Sequence, residues 1–242
     1  MATEQASSIV VRAAPASGWS RFPRQTLALL RREALTELRS RETPVAMIVF
    51  AFLVLLIFSF AFDLRSDTSP EVLSGILWSA IFFSAMLGFG RGFSGERERG
   101  TLDGMLLAPV DRSAIYLSRL LSHLLLMFIM EAAALPAAAL LFNIPVWRPR
   151  LLLAVLLGTV GFAVVGTLFA AIAANSRARD VLLPVLVLPV SVPIVIASVE
   201  ETVAALSGPS LLPPLPWMRL SAGYTLLFFI LSMVLFEHVC EE

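Results

Sequence analysis

PVAMIVFAFLVLLIFSFAF, residues 44–62, decides what kind of protein this is. No charged or amide side chain interrupts it, and Ser59 is its one polar group. At 1.5 Å per residue, about 20 such residues cross the ~30 Å hydrocarbon layer of a bilayer. A lone segment satisfies all its backbone polar groups there only as an α-helix. The rest of the chain agrees. Of 242 residues, 58% are hydrophobic and 15% charged, with a mean hydropathy of +0.85, against about 25% charged in soluble domains. The sequence predicts an all-α integral membrane protein.

Upstream of this run, residues 21–43 are amphipathic. Leu27, Leu30, Ala34 and Leu38 recur at helical spacing, and Arg24, Arg31, Arg32, Arg39 and Arg41 interleave with Glu33, Glu37 and Glu42. Such a basic helix lies in the membrane interface rather than crossing it. Residues 1–20 are small and polar, read as a disordered tail, and lack the apolar core of a cleavable signal.

Downstream, five further apolar runs follow, at roughly 72–90, 115–142, 151–174, 181–199 and 221–239. Residues 44–242 thus read as one six-helix membrane domain. Asp111, after Pro109, is a good N-cap for the third span. Gly158, Gly161 and Gly166 suit close helix packing in the fourth. Pro184, Pro189 and Pro193 predict that the fifth is kinked or broken, freeing carbonyls toward a cavity. Residues 200–220 are too long and apolar for a plain turn and predict a short interfacial or re-entrant segment. Trp147, in the turn 143–150, suits a membrane interface.

Six spans put both termini on one side. With the termini inside, the cytoplasmic segments hold fourteen arginines and the opposite side four (Arg65, Arg148, Arg150 and Arg219); the chain has no lysine. The positive-inside rule therefore predicts cytoplasmic termini. The polar stretch 91–119, RGFSGERERGTLDGMLLAPVDRSAIYLSR, is then cytoplasmic too.

Formal net charge is zero, which suggests no nucleic-acid partner, and one cysteine, Cys240, excludes an internal disulfide. There is no phosphate-binding GxxxxGK[ST], no GxSxG and no HExxH. Asp103-Gly104 lacks the further aspartates that a lipid phosphotransferase needs for its metal ions. The chain is predicted not to be an enzyme, with no metal site and no catalytic residue. Energy for work must come from another chain. Glu96, Arg97, Glu98 and Arg99 form a charge cluster, followed by a helical turn that presents Leu102, Met105 and Leu106. Burying each such side chain in a partner's groove is worth roughly 1.5–3 kcal/mol. A turn lying on lipid headgroups fits the same periodicity.

The run ERERGTLDGMLLAPVDRSAIYLSRLLSH resembles the cytochrome c maturation heme exporter protein B family (CcmB-like), permease subunits of an ABC-type complex. The matching residues are Glu98, Gly100, Thr101, Leu102, Asp103, Met105, Leu106, Leu107, Pro109, Arg119 and His123. A second match is LLGTVGF followed by VLLPVLVLPVSVPIVIA, in which Pro189 and Pro193 fit the family's pattern. The resemblance implies a bacterial inner-membrane permease that couples ATP hydrolysis on a separate ATPase subunit to heme export or to release of a heme-loaded chaperone. ATP would bind the partner, and heme would be cargo. It also implies a heme-handling membrane subunit, a periplasmic heme chaperone and two permease copies among membrane lipid. Glu96, Glu98, Gly100–Asp103, Met105, Leu106 and Pro109 become the ATPase-coupling segment. Other ABC-type exporter permeases, for lipid, drug or polysaccharide, share part of this element. A non-transporting membrane scaffold is the alternative of another class.

Four intramembrane residues stand out as functional candidates. Glu131 falls mid-span, where a charge costs about 2.5–3.5 kcal/mol on insertion scales, so it should face the bundle or a cavity, protonated or paired. It is either a functional group or a neutral acid bonded to a neighbouring helix. Pro184, Pro189 and Pro193 are candidates for a gating hinge. His123 reads as a polar residue near the interface and is the one candidate heme ligand.

Overall fold

The computed structural model describes residues 18–62, 69–98, 111–174, 176, 178–207 and 215–239. These residues form seven α-helices: α1 (Gly18–Ser40), α2 (Glu42–Phe62), α3 (Pro70–Glu98), α4 (Arg112–Phe142), α5 (Pro149–Ala174), α6 (Arg179–Ser207) and α7 (Leu215–Val239). Among the described residues, six helices, α2 to α7, are long and apolar enough to cross a membrane.

The helix ends follow local chemistry. Asp111 caps α4, its side chain accepting from the Ser113 amide at 3.1 Å. Asn143, with φ 52°, ends the same helix in the left-handed region, where asparagine is tolerated. Arg41, with φ 57°, is the single residue between α1 and α2. At the far end of α6, Arg148 Nη1 donates to the carbonyls of Ala205 (3.3 Å) and Leu206 (3.2 Å). A cation thereby meets the negative end of the helix dipole.

α3 and α5 form the centre of the bundle. In their most apolar windows 67% and 72% of residues are buried, against 17% for α2 and 11% for α7 at the periphery. In lipid there is no hydrophobic drive between helices, so close packing must hold them. The glycines of α5 supply it. The ring of Trp78 lies against Gly158, Ile194 lies against Gly161, and Phe89 covers Gly166. A methyl group at Gly158 or Gly166 would run into those rings.

The second span, expected at roughly 72–90, is found at Pro70–Gly90, and its helix continues past the apolar run through Glu98. α6 is helical from Arg179 to Ser207, so of the two outcomes expected from Pro184, Pro189 and Pro193, a kink or a break, a break does not occur. Pro189 and Pro193 are exposed. Residues 200–207, expected in a separate short segment, are the last turns of that helix, and residues 215–220 begin α7.

Candidate functional site

One buried face of α4 carries Tyr116, Arg119, His123, Met127 and Glu131, at intervals of three or four residues. That spacing places them in one stripe along a helix. α5 follows through the turn at 143–148 and packs against this stripe. His123 Nδ1 and Thr167 Oγ1 are 2.9 Å apart, and the Thr159 hydroxyl donates to Glu131 Oε1. His123 and Glu131 are separated by the same eight residues as Thr159 and Thr167, about 12 Å along each axis. The two pairs therefore fix the register of antiparallel helices. About two turns before His123, Tyr116 also reaches α5, its hydroxyl donating to the Val164 carbonyl at 3.3 Å.

Glu131 is 3% exposed, so it faces the bundle as its mid-span position requires. His123 is buried among the helices, and Phe89 packs edge-on against its ring with centroids 4.9 Å apart. Arg119, one turn away, is also buried. For His123 and Glu131 burial is tolerable because Thr167 and Thr159 of α5 meet their polar atoms.

A second polar cluster lies toward the end of α6 and was not foreseen from the sequence. Glu201 is fully buried, and Ser221 of α7 donates to its Oε1 at 2.7 Å. Beside it, Trp78 Nε1 donates to Thr202 Oγ1 at 2.9 Å, joining α3 to α6, while Thr202 donates to the Ser198 carbonyl. A usable signal did exist. Leu183, Val187, Ser191, Ile194, Ser198, Glu201, Thr202 and Ala205 are all buried and continue one helical face past residue 199.

Of the predicted coupling residues, Glu96 and Glu98 lie in the last turns of α3. Gly100, Thr101, Leu102, Asp103, Met105, Leu106 and Pro109 lie outside the described residues. Among the described residues, no group of three or more His, Cys, Asp or Glu side chains is placed to hold a metal ion.

Six long apolar helices, joined inside the bundle by polar pairs such as Thr159–Glu131 and Trp78–Thr202, define a polytopic α-helical membrane protein. The chain belongs to the CcmB family: residues 24–238 match the family model described as CcmB protein. It is 28% identical to heme exporter protein B of Rhodobacter capsulatus over 201 residues, covering 82% of this chain and 90% of the relative. With the protein of the same name from Pseudomonas aeruginosa it shares 28% identity over 181 residues, 74% and 81% of the two chains. The Paracoccus denitrificans protein of that name is 29% identical over 162 residues, 66% and 74%.

Proposed function

We propose that this chain is the permease subunit of an ABC-type complex in cytochrome c maturation. In this reading, ATP hydrolysis on a separate ATPase subunit drives heme export or the release of heme-loaded periplasmic chaperone. One observation carries the proposal: the family match spans residues 24–238, and relatives named heme exporter protein B align over most of their own length. The chain itself supplies no nucleotide site and is not the enzyme; its partners are the ATPase, a heme-handling membrane subunit and the chaperone. We place it in the bacterial inner membrane with both termini cytoplasmic, from the arginine asymmetry of its connecting segments, and in two copies per complex. Glu96, Glu98, Gly100–Asp103, Met105, Leu106 and Pro109 form the segment that docks on the ATPase. Glu131 and His123 tie α4 to α5 behind it, and α6 with its three prolines is the candidate for movement.

Deletion of the gene tests the pathway, read as covalent heme attachment to c-type cytochromes. Loss of attachment is expected, and normal attachment in the deletion strain would overturn the assignment. Leu102→Asp combined with Leu106→Asp tests the coupling segment. The ATPase should no longer co-purify, while the permease stays in the membrane. Unchanged co-purification would refute docking at this segment.

A further inference from the structure

The outer face of α1 segregates its charges. Arg24, Arg31, Arg32 and Arg39 are all exposed, and so are Leu27 (66%), Leu35 (57%) and Leu38 (39%). At 100° per residue these side chains occupy a single arc of the helix, with arginines set between leucines. No acidic residue lies on that arc. The acids of the same helix, Glu33 and Glu37, fall on the side of buried Thr26, and Ser118 of α4 donates to Glu33 Oε1 at 3.5 Å. A helix with both signs of charge in its sequence therefore presents cations and leucines, and no acid, on this arc.

Its position is fixed as well. Arg41 alone joins α1 to α2, and Thr43 and Pro44 at the start of α2 are buried. α1 also packs on α4. It must sit where the first membrane span enters the bilayer, at the depth of the headgroups. There, a leucine row reaches the acyl boundary while guanidinium groups meet phosphates.

We infer that the outer face of α1 is a binding surface for anionic phospholipid, selected by Arg24, Arg31, Arg32 and Arg39 and seated by Leu27, Leu35 and Leu38. Leucines interleaved with arginines match a bilayer surface, where the acyl boundary and the phosphates lie at adjacent depths. Each basic side chain near an anionic surface is worth about fivefold in partitioning, and the attraction weakens as salt shortens the Debye length.

The test uses the purified full-length protein in nonionic detergent, titrated with equal amounts of phosphatidylglycerol and phosphatidylcholine. Native mass spectrometry counts the lipids retained. The wild type should retain phosphatidylglycerol over phosphatidylcholine by at least about fivefold, the worth of a single basic side chain. The fourfold variant Arg24→Gln, Arg31→Gln, Arg32→Gln, Arg39→Gln should fall to below about twofold, and the matching fourfold Arg→Lys variant should keep the preference. Because the Lys variant preserves the charge, it separates lost selectivity from lost folding. Arg219→Gln, exposed on α7, should change nothing. Equal retention of the two lipids by the wild type, or a preference unchanged in the Gln variant, would overturn the inference. A Gln variant that keeps its lipid preference but sheds a co-purifying protein subunit would assign the face to that protein instead. Heme attachment plays no part in this readout, so the outcome is independent of the proposed function.

Discussion

Thr159 donates its hydroxyl to Glu131 across the α4–α5 interface, where both side chains are buried. Removing the donor is worse than changing the acceptor. Thr159→Val keeps the shape but leaves the buried carboxyl without that hydroxyl, which should destabilise the protein by about 1–3 kcal/mol. Glu131→Gln still offers an amide oxygen and should cost less than about 1 kcal/mol. Thermal unfolding in detergent gives the order, and a Gln variant as unstable as the Val variant would contradict it.

The glycines separate into two groups with opposite expected signs. At Gly158 and Gly166 an added methyl meets Trp78 and Phe89, so Gly158→Ala and Gly166→Ala should each destabilise by roughly 1–3 kcal/mol. Gly75 and Gly223 have nothing within 4 Å of a built Cβ. There, alanine improves helix propensity, and a gain of up to about 1 kcal/mol is expected. Phe89→Leu should rescue Gly166→Ala in part. The same unfolding assay reads all of these, and uniform signs would refute the packing account.

Arg148 ties the turn after α4 to the last carbonyls of α6. Arg148→Ala should lose about 1 kcal/mol and, more tellingly, speed hydrogen exchange in the amides near Ser207. Exchange unchanged in that turn would show that the cap is inconsequential.

His123 is held by Thr167 and Phe89 inside the bundle. As a tie between helices it should be replaceable by another group able to bond Thr167. His123→Gln should retain most of its stability and most of the cellular cytochrome c, whereas His123→Ala should lose about 1–3 kcal/mol. Equal loss of cytochrome c in both variants, with the Gln protein stable, would make the imidazole itself necessary.

Much of this architecture was legible in the sequence because hydropathy and helix length are tied by the bilayer. The spans, the Asp111 cap, the inward face of Glu131 and the packing role of the α5 glycines all follow from local composition. What escaped was structure that ignores the apolar boundary. Gly90 and Val199 look like ends because polar residues follow them; helix formers such as Glu200, Glu201 and Ala204–Leu206 carry α6 onward, whereas α3 continues through Gly92 and Gly95 against their propensity. Glu201 was assigned to a connecting segment for the same reason. Buried, it is met by Ser221, a contact between helices that no sequence window contains. The prolines are a different case. A proline removes one backbone donor and clashes with a carbonyl four residues earlier, but on an exposed side the helix accommodates the ring without breaking.

The extension of α3 has a mechanical consequence. From Pro70 to Glu98 it is one helix of 29 residues, about 43 Å long, which exceeds the ~30 Å hydrocarbon thickness. α4 likewise starts at Arg112, close after its Asp111 cap. The chain between Glu98 and Arg112 is therefore flanked by two helices that are each continuous with the buried core. A displacement delivered there is passed along helix rather than across a connecting loop. Through α3 it reaches Phe89 against Gly166 and Trp78 bonded to Thr202; through α4 it reaches the Glu131–Thr159 pair. Load applied at one membrane face thus bears directly on the helix contacts deep within the bilayer.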